Sequence, residues 1–267
     1  MANNNSMKNQ WFISIKKNNG DIFDISGLQH NYPPKDYYWA DPFLYQKDGK
    51  DYIFYELYDY KKGVIAYSEI REDLTFTDPT IILETPYHLS YPFLFEENGE
   101  LYMIPETGAS NRIELYKCVI FPDKWELDQI LFDNINTADN NILVKDKRYW
   151  MFTTTQPNQK HQLLILTSES LRGPWSIIAN QHIEHSRSAG KIFNYNNKLY
   201  RAVQNGTGGY GRGIYFKSII LDVENSIYDE NIEHSINPVW HPDIFGTHHF
   251  DFNEKYIVLD GKRKIND

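Results

Sequence analysis

The sequence predicts an all-β chain folded as a five-bladed β-propeller. Three observations carry this expectation. One strand-turn-strand unit recurs five times along 267 residues, and repeats of about 40 to 50 residues with several strands each are what propeller blades look like. A polar turn dipeptide falls at the same place in each copy. The chain is rich in Tyr (20), Phe (15) and Trp (6), residues suited to strands that pack broad faces on one another. All-β chains of this length commonly form one domain, so residues 11 to 267 are assigned to a single propeller.

In chain order, residues 1 to 10 (MANNNSMKNQ) are expected to be disordered, and WFISIKK (Trp11 to Lys17) reads as a strand ahead of the first repeat. ADPFLYQKDGKDYIFYE (Ala40 to Glu56) aligns without a gap on SYPFLFEENGELYMIPE (Ser90 to Glu106), and Asp48-Gly49 falls on Asn98-Gly99. ADNNILVKDKRYWMFTT (Ala138 to Thr154) and SAGKIFNYNNKLYRAVQ (Ser188 to Gln204) follow the same frame. THHFDFNEKYIVLD (Thr247 to Asp260) matches with a shorter hairpin. Third strands follow in VIAYSEI, IELYKCVI, LLILTSES and IYFKSIIL, and weaker fourth strands in TIILE and WSIIA. The last repeat ends early, so the N-terminal strand is expected to complete blade five and close the ring, removing open sheet edges.

Composition narrows the partners. A net charge of −9 provides no positive field for nucleic acid or an anionic membrane. The N-terminus has no apolar signal core, and no run of about 18 or more apolar residues occurs. The expectation is a soluble cytoplasmic protein with no membrane span. Cys118 is the single cysteine, so no intrachain disulfide can form. The 9 histidines lack zinc-ligand spacing, so no metal and no cofactor are expected. NGTGGYGRG (Asn205 to Gly213) lacks the GxxxxGK(S/T) spacing of a phosphate loop and precedes a strand instead of a helix; it reads as a loop over the channel mouth.

The repeat also ranks positions for chemistry. Asp41, Tyr91, Asp139, Ala189 and His248 begin the innermost strands and should ring one mouth of the channel. Glu56, Glu106, Thr154, Gln204 and Asp260 end the second strands and return to the same mouth. Carboxylates are costly to bury unpaired, so their collection there calls for cationic partners or a function. Arg187, Arg201, Arg212, Arg112 and Lys191 are available as partners. Arg201 serves either neutralisation or ligand contact, and His248 either a solvated turn or the site. Trp39, Tyr91 and Tyr210 could stack on sugar faces, with packing between blades as the alternative role, above all for Trp39.

The WADPF start with Asp41, Asp139 opening blade three, and Ser170 to Trp175 (SLRGPW) resemble the five-bladed furanosidase superfamily, which includes glycoside hydrolase families 43, 32 and 62. The ordered series WADPF, SYPF, PE, RSAG, YRAVQ and YG is most similar to the propeller N-terminal in plant glucosamine inositolphosphorylceramide transferases and in bacterial surface-glycan loci. In the hydrolases the blade-one aspartate is base or nucleophile, the blade-three aspartate supports the transition state, and a blade-four glutamate is the acid. The resemblance implies the first two roles for Asp41 and Asp139. Blade four departs from it, opening with Arg187, Ser188 and Ala189, its nearest acid being Glu184. Glu106 is the substitute proton donor, and Arg187 favours an anionic group. The expected activity is glycosyl transfer on a phosphate-activated or anionic sugar in surface-glycan assembly, with Trp39, Glu56, Tyr91, Arg187, Arg201, Gln204, Tyr210 and His248 binding substrate. The partners implied are a carbohydrate or sugar phosphate and other glycan-assembly enzymes. A hydrolase or phosphorylase of the family 43/32 type, and a glycan-binding propeller without catalysis, are the alternatives.

Overall fold

The computed structural model describes residues 7–155, 161–222 and 227–266. It contains the expected five blades, each a four-stranded antiparallel sheet. The chain starts with β1 (Met7–Lys17) and β2 (Gln29–Asn31). Blade one is β3 (Tyr38–Lys47), β4 (Lys50–Tyr58), β5 (Gly63–Glu69) and β6 (Thr80–Leu83), and blade two is β7 (Ser90–Glu97), β8 (Glu100–Glu106), β9 (Arg112–Ile120) and β10 (Lys124–Asp133). Blade three is β11 (Ala138–Lys145), β12 (Arg148–Thr155), β13 (Gln162–Ser168) and β14 (Ser176–Gln181). Blade four is β15 (Ser188–Tyr195), β16 (Lys198–Gln204), β17 (Ile214–Asp222) and β18 (Ile227–Ile236). β19 (Phe250–Phe252) and β20 (Tyr256–Asn266) open blade five, and β1 and β2 complete it in the order β19-β20-β1-β2.

The closing seam is long. β1 pairs with β20 through eleven residues, from Met7 opposite Asn266 to Lys17 opposite Tyr256. Residues 7–10, expected to be disordered, therefore belong to this strand; residues 1–6 lie outside the described residues.

Turn chemistry sets the hairpins. The central pairs Asp48-Gly49, Asn98-Gly99, Asp146-Lys147 and Asn196-Asn197 all have positive φ at both residues, the conformation of a type I′ turn, whose twist matches that of the strands it joins. Alternation then sends the two faces of each blade to different neighbours. On β4, Ile53 and Tyr55 pack with Ile13 and Val258 of blade five, while Tyr52 and Phe54 pack with Leu101 and Met103 of blade two. Apolar clusters fill the remaining interfaces between blades two and three, three and four, and four and five. Burial on both faces explains why the second and third strands read as nearly unbroken apolar runs.

Candidate active site

A repeated backbone irregularity builds the site. In blades one to three the inner strand carries one more residue than its partner near its start: Ala40 faces Glu56 and Phe43 faces Phe54, Ser90 faces Glu106 and Phe93 faces Ile104, Ala138 faces Thr154 and Asn141 faces Phe152. This is a β-bulge, which re-aims a side chain out of the ladder. The residue in each bulge has a positive φ: 53° for Asp41, 47° for Tyr91 and 56° for Asp139. Side chains other than glycine are strained there, a bulky tyrosine most of all, and such strain concentrates at functional positions.

Blade four differs from the gapless alignment. Ser188 faces Val203 instead of Gln204, and Ile192 faces Arg201, so this bulge holds two extra residues. Gln204 N–H consequently donates to the Arg187 carbonyl (2.8 Å), and Arg187 takes the place opposite the strand end that Ala40, Ser90 and Ala138 hold in the other blades. The positive-φ position moves from Ala189 to Gly190 (136°). A Cβ at Gly190 would lie 2.0 Å from the Phe250 carbonyl oxygen, so only glycine lets blades four and five approach this closely.

Carboxylates converge over the bulges. Asp41 is 5% exposed and accepts the Tyr91 N–H (3.2 Å), and its other oxygen lies 3.7 Å from His248 Nε2 and 3.5 Å from His249 Nδ1. Burial alone would push its carboxyl up, but His249, His248 and Arg187 together hold it down at about 2. His248 is clamped on its other side, where Nδ1 meets the Asp260 carboxylate and the ring stacks on Trp11 at 4.1 Å. Burial disfavours the imidazolium, yet Asp260 and Asp41 leave its pKa raised. Asp260 Oδ1 also accepts the backbone N–H groups of His248 (2.8 Å) and His249 (3.0 Å). Asp41, His248 and Asp260 offer ligand atoms within 4.8 Å of one another, a grouping that could hold a cation. The N–H donors converging on Asp260 are instead the chemistry of an imidazolium held between carboxylates.

Across the funnel, Arg187 Nε donates to Asp139 (2.5 Å) and Nη2 to Glu106 (3.1 Å). Gln204 Nε2 donates to the same Asp139 oxygen (3.1 Å). Burial pushes the Glu106 carboxyl well above the usual carboxylate range; Arg187 opposes this, while Asp139 and Asp41 add to it. Glu56 is raised in the same way by burial, against its contact with His88 Nε2 (3.2 Å). His88 Nδ1 accepts the Gly63 N–H (3.0 Å), which assigns the proton on Nε2 to Glu56.

Beside Arg187 opens a pocket of about 280 Å³ lined by His161, His185, Gln204, Gly206, Gly209 and Tyr210, among others. Tyr210 is half exposed, its ring 5.6 Å from the Arg187 guanidinium and 5.0 Å from His248. A depression of about 540 Å³ on the opposite face holds Lys50, Asp51, Glu69 and Lys255. Its charges pair with each other, Lys50 with Glu69 and Lys255 with Asp51, both at 2.9 Å, and none of the convergent carboxylates reaches it.

The structure thus brings together Asp41, Glu56, Glu106, Asp139, Arg187, Gln204, Tyr210 and His248. Three expected site residues lie elsewhere. Trp39 is 7% exposed and packs with Tyr55 and Phe76 inside the interface with blade five, the packing role. Arg201 is fully buried, bonded to Glu230 (3.0 Å) and to the Ser186 carbonyl (2.7 Å); it braces the segment before Arg187. Tyr91 is fully buried below the mouth, where no ligand reaches its ring face. Asp260 reaches the mouth as its strand end predicts, and His88, His249 and Tyr38 join the site without having been singled out for it. Tyr38 and His88 each stand two residues ahead of the aligned repeat, so the frame extended upstream would have found them.

The family model described as "Glucosamine inositolphosphorylceramide transferase 1, N-terminal" matches residues 23–239. The glucosamine inositolphosphorylceramide transferase 1 of Arabidopsis thaliana is 30% identical over 210 residues, 74% of this chain and 26% of the relative, and that of Oryza sativa is 32% identical over 188 residues, 66% and 25%. The chain thus spans about a quarter of these curated relatives. Among solved structures, a family 117 glycoside hydrolase of Zobellia galactanivorans superposes with a TM-score of 0.59 at 11% identity, covering 96% of this chain and 93% of the other. The α-L-arabinofuranosidase of Podospora anserina does so with 0.59 at 12%, covering 85% and 91%. At such identities the likeness is one of fold.

Proposed function

This chain belongs to the family of the N-terminal region of glucosamine inositolphosphorylceramide transferase 1, and from that premise we propose that its funnel carries out glycosyl transfer in surface-glycan assembly. The carrying observation is the opposed surroundings of two carboxylates over one mouth: His249, His248 and Arg187 hold the Asp41 carboxyl down, while burial pushes that of Glu106 up. Environments that push two acids apart are how one site supplies both a base and an acid. Asp41 takes the nucleophile's proton or attacks the sugar carbon, and Glu106 gives its proton to the departing oxygen. Asp139 fixes Arg187 from below with Gln204.

The phosphorylated substrate rests on Arg187. Two of its nitrogens serve Asp139 and Glu106, and among the described residues no acceptor is seen for Nη1, on a residue that lines the pocket. A guanidinium there suits phosphate oxygens. The relatives' name joins an amino sugar to inositolphosphorylceramide, a phosphate-bearing lipid. Cytoplasmic location is part of this reading, since activated sugars are made there.

The test is incubation of the purified chain with a panel of nucleotide and phosphate sugars, read by mass spectrometry for donor consumption. Transfer requires the donor; reducing ends without a donor would mean hydrolysis, and an unchanged but retained glycan would mean a binding module. Arg187→Ala should weaken a sugar phosphate about ten- to a hundredfold while sparing its unphosphorylated form, by calorimetry. Equal losses for both would leave Arg187 as a neutraliser of Asp139 and Glu106 only.

A further inference from the structure

The segment that leads to Arg187 is held by its carbonyls. Buried Lys217 donates Nζ to the Glu184 carbonyl (2.7 Å). Fully buried Arg201 donates Nη1 to the Ser186 carbonyl (2.7 Å), which also accepts from Thr154 Oγ1 of blade three (3.1 Å). The Arg187 carbonyl accepts the Gln204 N–H (2.8 Å). Lys217 and Arg201 share one carboxylate, Glu230, so blade four keeps two cations inside on a single counter-charge. Buried charges must be paired and hydrogen-bonded to be tolerated, and here both cations complete their bonding on one stretch of chain, Glu184 to Ser186.

Bracing Arg187 against Asp139 and Glu106 would account for these anchors. It does not account for the Ser186 hydroxyl. Ser186 is 1% exposed and lines the pocket beside Arg187, yet its Oγ has no hydrogen-bond partner among the described residues. Buried polar groups are nearly always paired, and an exception calls for an explanation. The hydroxyls nearby on blade three are paired, Thr153 Oγ1 with the Ala138 carbonyl (3.1 Å) and Thr154 Oγ1 with that of Ser186 itself. Ser188 Oγ is unpaired as well, but Ser188 is not part of the pocket wall.

We propose that Ser186 Oγ and Arg187 Nη1 together bind the phosphate of the sugar donor, and that this pair selects a tetrahedral phosphate over a planar carboxylate. The assignment rests on the proposed function and narrows it: of phosphate-activated and otherwise anionic sugars, the site takes the first. A guanidinium grips a carboxylate through two parallel N–H bonds in one plane. Arg187 has no such edge free, because Nε serves Asp139 and Nη2 serves both Glu106 and Asp139. What remains is Nη1 and, from the preceding residue, a hydroxyl. Donors from two adjacent side chains approach a ligand from different directions, which suits oxygens set on a tetrahedron. The anchored carbonyls hold the hydroxyl in place before the ligand arrives, so little freedom is lost on binding.

The experiment is calorimetric titration of the full chain, Ser186→Ala and Arg187→Ala with glucose 1-phosphate and with glucuronate, and a melting curve for each protein. The wild type should bind the phosphate about tenfold or more tightly than the carboxylate. Ser186→Ala removes a hydroxyl that has no protein partner, so it should melt like the wild type. It should nevertheless bind glucose 1-phosphate about tenfold less tightly and lose most of the preference over glucuronate. Arg187→Ala should weaken glucose 1-phosphate too. If Ser186→Ala binds glucose 1-phosphate as the wild type does while Arg187→Ala does not, the hydroxyl is a packed orphan: the proposal falls and the proposed function stands. Glucuronate bound as tightly as the phosphate by the wild type would overturn the selection of a tetrahedral ligand and leave an anionic-sugar site. Binding of neither anion by the wild type would sink both readings.

Discussion

Asp41 and Glu106 share a funnel but are held at opposite ends of the carboxylate range, and this fixes the direction of the pH response. Asp41 stays ionised above about pH 2, while Glu106 stays protonated until pH climbs through its raised value. Activity should therefore persist into acid and fall on the alkaline side. Glu106→Gln should lower turnover about 10²- to 10⁴-fold and abolish that alkaline limb; Asp41→Asn should lower it at every pH. A pH-rate profile of transfer by the three proteins checks both. Stability follows the same signs. Asp41's contribution is full above the free aspartate value and is lost as pH falls through about 2, whereas His248's is full below the free imidazole value and fades as pH rises through its raised one. The sequence made Asp41, Asp139 and Glu106 legible because the repeat puts them in register at strand ends. It could not separate Arg201 from Arg187: both are arginines of blade four, and only the path of the chain shows one buried against Glu230 and the other facing the pocket.

Among the elements, inner hairpins and third strands were readable because turn dipeptides and unbroken apolar runs mark them. Outer strands were legible only in part: TIILE and WSIIA fall on β6 and β14, whereas β10 was not singled out, being mostly exposed with only Trp125 and Leu131 buried. The blade-four bulge was also hidden, since an extra bulge residue leaves no mark when two segments align without a gap. β1 was expected as the strand that completes blade five because the last repeat ends early, and it bears directly on stability. It is the third strand of blade five, with β20 on one edge and β2 on the other, and it packs Ile13 and Ile15 against blade one. Deleting residues 1–17 should lower the melting temperature by about 10 °C or more, measured by differential scanning calorimetry. A truncated chain that melts like the whole would mean that the ring holds without this seam.

At the scale of the whole molecule, Tyr91 meets every other blade. Its hydroxyl donates to the Gly190 carbonyl of blade four (2.9 Å) and accepts from Asn141 of blade three (2.9 Å). Its ring lies against Phe43 of blade one (5.0 Å) and His249 of blade five (5.2 Å). Tyr91→Phe should destabilise the protein by about 1–3 kcal/mol, because buried partners on two blades lose their bond at once; urea unfolding should show a lower midpoint with an unchanged slope. The seam between β1 and β20 has a different consequence, which concerns how the protein is made. β1 is translated early and its partner β20 some 240 residues later, on the order of ten to fifty seconds at the usual pace of a ribosome. Through that interval the edge of β1 that β20 will cover stays open, a state exposed to misassociation. Because Met7 lies opposite Asn266, a short loop can join them in a circular permutant that starts between β2 and β3. There β1 follows β20 as a hairpin, and the longest-range pairing of the ring becomes a local one. The permutant should refold faster and in higher yield from denaturant than the natural order, with the same final blades.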